Sequence, residues 1–211
     1  MLKSILTTAA GLAALSAAAW AAEKTYDVSG FSEVSAAAGV DVVITVGERF
    51  AVVASTDEGD FEHLIVQRKG DELRVTIDRK KRRRWKSEHG FKVEIAMPAL
   101  EGLSASSAAD IVASGVDADD FSIDASSGAD ISVSGRCNEV DVDVSSGADV
   151  DARGLECRSA RADASSGADA VVYASERVDA EASSGGDVTV YGGPDEIDMN
   201  TSSGGDVRIR A

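Results

Sequence analysis

The pentapeptide Ser-Ser-Gly-Ala-Asp stands at 126–130, 145–149 and 165–169, and Ser-Ser-Gly-Gly-Asp follows at 183–187 and 202–206. Alternating stretches precede the copies, such as Phe121-Ser-Ile-Asp-Ala125, Val140-Asp-Val-Asp-Val144 and Ala160-Arg-Ala-Asp-Ala164, and shorter ones follow, such as Ile131-Ser-Val133 and Val188-Thr-Val190. Alternation of period two marks a strand buried on one face. Two short strands joined by a small-residue bend, recurring about every 19 residues, make one coil of a β-solenoid. A single coil cannot bury its own apolar face. It must stack on copies of itself, strand over strand at about 4.8 Å.

The repeat lines up a column of carboxylates: Asp110, Asp130, Asp149, Asp169, Asp187 and Asp206, spaced by 20, 19, 20, 18 and 19 residues. A seventh member lies upstream. Residues 31–42, from Phe31 to Val42, align without gaps on 100–111, from Leu100 to Ile111, which places Asp41 on Asp110. An insertion over about 48–99 therefore separates a first coil from the regular coils of 100–211. Within it, Phe50–Ala54, Leu64–Arg68, Leu73–Asp78 and Phe91–Met97 read as strands, with a hairpin turn at Lys69-Gly70-Asp71. These strands are expected to continue or cover the first end of the stack. The fold class expected is all-β: a parallel β-solenoid of about seven coils of 18–20 residues with a strand-rich insertion after the first.

Residues 1–22 combine one cation, Lys3, an apolar run from Ile5 to about Ala19, and the small-x-small triplet Ala19-Trp20-Ala21. That is the pattern of a secretory signal peptide, and it leaves 23–211 as the exported domain. No later run approaches the roughly 20 apolar residues of a membrane-spanning helix. Charge is unevenly placed: residues 22–100 hold 13 Lys and Arg against 14 Asp and Glu, whereas 101–211 hold 7 Arg, no Lys and 23 acids. An acid-rich surface repels nucleic acid and attracts divalent cations or basic partners.

The Phe31-to-Ser35 opening, a strand ending at Gly47, a basic loop before a strand ending in Met97-Pro98-Ala99-Leu100, and the Ser-Gly-Ala-Asp coils together resemble the putative auto-transporter adhesin, head GIN domain family. The resemblance covers nearly all of the chain after residue 22. It implies a β-solenoid of the bacterial envelope or exterior and an adhesive role. Nothing after Asp206 could supply the eight or more strands of about 10 residues that a transmembrane barrel needs, so self-export is not part of the expectation.

Four features are candidates for chemistry. The Asp column either holds weakly bound Ca²⁺, a hard cation that takes carboxylate oxygens, or caps the bends through Asx-type hydrogen bonds. If alternation ran through the bend, Ser107, Ser127, Ser146, Ser166, Ser184 and Ser203 would face inward as a hydrogen-bonded column. No catalytic role is expected of them, because His63 and His89, the only histidines, both lie in the insertion. Arg79, Lys80, Lys81, Arg82, Arg83, Arg84, Trp85 and Lys86 place seven cations in eight residues. This loop is either a solvated turn, a contact for envelope glycolipid or an anionic membrane surface with Trp85 entering the interface, or a dock for the acidic flank of another copy. Finally, Cys137 and Cys157 are 20 residues apart, one coil. Each is expected in the turn after a repeat, where stacking brings their Cα atoms within disulfide reach, and export supplies an oxidising compartment.

Acids recurring in every coil favour architecture over catalysis. The reading is a non-catalytic exported envelope or adhesion-type module, periplasmic or on the cell surface, with no cofactor unless the Asp column takes Ca²⁺. The alternatives are a Ca²⁺-binding structural solenoid and, third, a polysaccharide-acting β-helix enzyme.

Overall fold

The computed structural model describes residues 22–57, 60–78 and 90–210. Among these described residues all regular structure is β: β1 (Ala22–Tyr26), β2 (Glu33–Ala37), β3 (Asp41–Val46), β4 (Ala51–Thr56), β5 (Leu64–Lys69), β6 (Glu72–Ile77), β7 (Lys92–Met97), β8 (Gly102–Ser106), β9 (Asp110–Ser126), β10 (Asp130–Ser145), β11 (Asp149–Ser165), β12 (Asp169–Ser183), β13 (Asp187–Tyr191), β14 (Glu196–Ser202) and β15 (Asp206–Ile209). The long strands β9 to β12, of 15 to 17 residues, turn a corner and contribute to two faces of the stack. On the first face the order is β1-β4-β7-β3-β9-β10-β11-β12-β13-β15. On the second, β5 pairs β6, β6 pairs β2, β2 pairs β8, β8 pairs β9, and the series closes on β12 with β14.

The fold is a parallel β-solenoid of about 5 turns, fewer than the seven coils the Asp count suggests. Asp41 and Asp206 occupy the two ends of the ladder, but each sits on a partial turn. The first, of the short strands β2 and β3, is followed at once by the insertion, and the last consists of the short strands β14 and β15.

The upstream coil takes the register its alignment implies: Val34 pairs Leu103, Ala36 pairs Ala105 and Asp41 pairs Asp110. The insertion both continues the stack and covers its end. β7 and β6 extend it in parallel, on β3 and β2 respectively, and β4, β1 and β5 add antiparallel strands outside them. Gly70, at φ 66°, makes the β5–β6 turn.

Sequence reasoning expected two short strands per coil with a turn between them. The structure instead keeps extended pairing around the corner, and the register shifts sit there, at Ser132/Ser134, Val133/Gly135 and Asp151/Cys157. The variation in coil length is therefore absorbed at the corners, while the flanks of each bend keep strict register. Glycine makes this possible: a Cβ on Gly135 (φ 145°) would collide with the backbone of Val116.

The core is narrow and filled by columns of small residues, for example Ile123-Val142-Ala162-Ala180 and Ala129-Ala148-Ala168, all essentially inaccessible. Larger side chains, Phe91, Leu73, Met97 and Leu100, concentrate at the insertion end. No helix among the described residues is long and apolar enough to cross a membrane.

Candidate functional site

The bend that carries the repeat is a turn with two left-handed residues: Ser127 (φ 58°) and Gly128 (φ 67°), then Ser146 and Gly147, Ser166 and Gly167, Ser184 and Gly185, Ser203 and Gly204. Backbone hydrogen bonds close it, from Ala148 N–H to Ser145 O at 3.3 Å and from Gly186 N–H to Ser183 O at 2.9 Å. Positive φ at both central positions is the signature of the primed turns. This overturns the expected serine parity. The left-handed pair breaks the alternation, so Ser127, Ser146, Ser166, Ser184 and Ser203 are exposed and Ser107 is half-buried. The alanine or glycine just before each pentapeptide Asp goes inward instead, and alternation restarts with the Asp outward.

The same bend explains why the last two pentapeptides read Gly-Gly. A Cβ on Gly186 would come within 2.7 Å of the Ala164 backbone, and one on Gly205 would strike that of Ala182. Real Cβ atoms do not approach backbone that closely, so the C-terminal coils nest their bends more tightly than Ala allows.

Each Asp then starts a strand, and register places the column in one line: Asp41, Asp110, Asp130, Asp149, Asp169, Asp187 and Asp206. Burial pushes the Asp110 carboxyl above its ordinary range, and Asp41 and Asp130 on either side add to the rise. Asp149 is raised by burial and then by Asp169 and Asp130, against a backbone hydrogen bond from Asp169. Burial raises Asp41 too, opposed by Lys92. At the far end, Arg208 pairs with the last two members, its guanidinium 3.2 Å from Asp187 and 2.5 Å from Asp206.

The second face carries further ladders, which the pentapeptide does not announce. Asp124, Asp143, Asp163 and Glu181 are successive register partners, and Asp141, Arg161, Asp179 and Asp198 form the neighbouring column. The signal was present in the outward phase of the alternating stretches, in Val140-Asp-Val-Asp-Val144 above all. Burial followed by Asp143 raises the carboxyl of Asp124; burial followed by Asp163 and Asp141 raises that of Asp143, while Arg161 opposes. Arg161 is the charge at the centre, 2.7 Å from Asp163, 3.5 Å from Asp179 and 4.0 Å from Asp141. Beside these columns, Glu101, Asp117, Asp119, Asp120, Glu139 and Asp141 line an open depression of about 780 Å³.

Arginines of the acidic half pair mostly between coils: Arg136 grips Asp117 at 2.7 and 3.0 Å, Arg158 grips Glu176 at 2.8 and 3.0 Å, and Arg177 lies 3.6 Å from Glu196. Exposed pairs like these contribute at most about 1 kcal/mol each. With 7 Arg against 23 acids in residues 101–211, most carboxylates of this half have no countercharge of their own. Among the described residues, no group of three His, Cys, Asp or Glu side chains converges as a metal site. A ladder spaces its carboxylates along a line, whereas Ca²⁺ takes six to eight oxygens around a point.

Cys137 and Cys157 form a disulfide, with Cα atoms 4.5 Å apart. They are register partners on β10 and β11, buried in the corner and not in a turn, in a column that continues to Ala118 on one side and Ala174 on the other. The basic residues Arg79 to Lys86, His89 and the expected signal peptide lie outside the described residues, save that Ala22 opens β1. The flanks of the basic segment are described: Asp78 follows β6 and Gly90 precedes β7, both at the insertion end of the stack.

A family model described as putative auto-transporter adhesin, head GIN domain matches residues 30–194. The chain belongs to this family. Its members' fold recurs in solved structures. A putative adhesin from Bacteroides fragilis is 18% identical with a TM-score of 0.71, the match covering 90% of this chain and 96% of that one. Structures described as a putative lipid binding protein from Parabacteroides distasonis (15% identical) and a putative adhesin from Parabacteroides merdae (14%) each give 0.54 over the same shares. At these identities the likeness shows the fold alone. A comparison with curated proteins found no match.

Proposed function

We propose that this chain is a non-catalytic adhesion-type module of the bacterial envelope, and that it binds through the carboxylate ladders of its solenoid faces. The observation that carries the reading is repetition. The same outward carboxylate recurs coil after coil at a fixed spacing of about 4.8 Å, as in Asp124, Asp143, Asp163 and Glu181. A catalytic centre needs unlike groups converging on one reacting atom. A ladder of like groups offers a rigid, extended surface to a partner that is itself extended and cationic. Many weak contacts on one rigid body add as avidity.

Cell fractionation combined with a binding screen of glycans, lipids and cationic polymers tests the reading. Binding should weaken with salt and decline stepwise as Asp124, Asp143 and Asp163 are changed to Asn one after another. Complete loss on a single substitution would point to a localised site and contradict it. The Ca²⁺-binding alternative is decided by thermal unfolding with added Ca²⁺, because a ligand bound only by the folded state raises the midpoint.

A second reading is favoured by the basic segment, Arg79 to Lys86, whose described flanks, Asp78 and Gly90, lie at the insertion end. Seven cations and Trp85 suit an anionic lipid surface, and one structure sharing this fold is described as a putative lipid binding protein. Arg82, Arg83 and Arg84 changed to Gln should abolish salt-sensitive binding to anionic vesicles. Absence of binding by the parent at low salt ends this second reading.

A further inference from the structure

The two ends of the stack differ in how their edges are finished. At the C-terminal end, the core column Val34-Leu103-Ile123-Val142-Ala162-Ala180 arrives at Met199, which is 49% exposed, and Ile197 beside it is 46% exposed. Among the described residues β14 pairs only β12 and β15 only β13, so each presents there an open row of backbone donors and acceptors. At the insertion end, the outermost strands among the described residues are β5, paired there with β6 alone, and β1, paired there with β4 alone. Open edges are templates for further strand pairing, and a repeat stack stays soluble by covering its terminal units.

The geometry points to a second copy of this chain as the cover, stacked head to tail, with β15 of one copy against β1 of the next. The first face is ten strands tall and the second nine, so β14 and β5 then face each other across the space of one further strand, about 9.6 Å, which their side chains span. Charge and register both favour that partner. β14 carries Glu196 and Asp198 and no cation; β5 carries Arg68 and Lys69 and no anion. The column that ends at Asp198 runs back through Asp179, Arg161, Asp141, Ser122, Gly102, Glu33 and Glu72 to Lys69. The column that ends at Asn200 likewise runs back to Gln67. Continuing the columns into a following copy sets Lys69 opposite Asp198 and Gln67 opposite Asn200 across that space, a cation facing an anion and an amide facing an amide. Met199 meets the aliphatic stem of Arg68.

On the first face, the Asp column that ends at Asp206 runs back through Asp41, Lys92 and Ser55 to Glu23. Asp206 thus comes in line with Glu23, and Arg208, already in contact with Asp206, supplies the countercharge. Three places further along both strands, Ile209 comes in line with Tyr26, an apolar match. The symmetric alternative, tail to tail, would set the acidic β14 on its own twin. Like charges in apposition across an interface oppose assembly. A head-to-tail contact is heterologous and does not close, so it generates a linear assembly.

Sedimentation velocity across a concentration series tests the proposal with the purified protein and two charge reversals, Lys69→Glu and Asp198→Lys. Both sites are exposed, and circular dichroism checks that each variant keeps its β fold. The expected result is species that grow past the dimer with concentration and shrink with salt. Each variant alone should be weakened about tenfold or more. An equal mixture of the two should recover assembly, because copies that alternate along the stack then meet with opposite charges at every contact. A monomer at every concentration, a dimer indifferent to Lys69→Glu, or folded variants whose mixture fails to assemble would each overturn it.

Discussion

Asp41 and Asp110 are 69 positions apart in the chain and adjacent in space, register partners on the parallel strands β3 and β9. The whole insertion leaves the stack after β3 and returns to it through β7 and β8 without disturbing that register. The ladder is unbroken because the insertion enters and leaves through strands that themselves join the two faces.

The Cys137–Cys157 bridge ties two neighbouring coils across a sequence separation of 20. Changing both residues to Ala should lower stability by about 3 kcal/mol, the loop-closure value for a loop of this length. Alanine fits the column, since Ala118 and Ala174 already occupy its neighbouring places. Denaturant unfolding measures the loss, and thiol counting on the denatured, unreduced wild type should find none.

Two bend positions make opposite predictions. Ala108 stands where the other bends have Gly, at φ 59° and exposed. Ala108→Gly should therefore stabilise by about 0.5–1 kcal/mol, the left-handed penalty less the entropy of the freer unfolded chain. Gly186→Ala should destabilise by about 1–3 kcal/mol, the range for overpacking, because its Cβ meets the Ala164 backbone. Thermal midpoints that move in the same direction for both would contradict the bend geometry.

The carboxylates of Asp41, Asp110, Asp124, Asp143 and Asp149 are all raised, so the folded state holds their protons to higher pH than the unfolded state does. Stability must then rise as pH falls from neutrality through the raised values toward the ordinary value of 3.8. Asp117, lowered by its hydrogen bonds from Arg136, works in the other sense and only below that value. The thermal midpoint should be higher at pH 5 than at pH 7. Asp143→Asn should raise the midpoint at pH 7 and flatten the slope; a lower midpoint at pH 7 would show that the ladder is not self-repelling.

The stacking direction and the Asp register were legible because the repeat supplies identical residues at identical places, and a residue such as Asp130 can only lie over its counterparts. The upstream coil was legible for the same reason, through the ungapped match of residues 31–42 to 100–111. The serine parity was not. Whether alternation passes through Ser127 depends on the sign of φ there, and Ser-Ser-Gly is compatible with either. The second-face ladder of Asp124, Asp143 and Asp163 escaped notice because its members sit in variable flanks, where Ala, Val and Arg exchange between coils. The corner at Cys137 read as a turn because it follows a repeat and falls between the alternating stretches 131–133 and 140–144, yet the chain continues there as one strand, with Gly135 relieving a close backbone approach.

In-register stacking of the first coil on the second is the claim on which the ladders, the proposed binding surface and the end-to-end contact all depend. Cysteines placed at Asp41 and Asp110 test it directly. Register partners have Cα atoms about 4.8 Å apart, inside disulfide range, and partners two coils apart at about 9.6 Å are outside it. After mild oxidation, Asp41→Cys with Asp110→Cys should yield a second disulfide, joined peptides by mass spectrometry and no free thiol, whereas Asp41→Cys with Asp130→Cys should keep two thiols. Two free thiols in the first variant, or a bridge formed as readily in the second, would contradict the account.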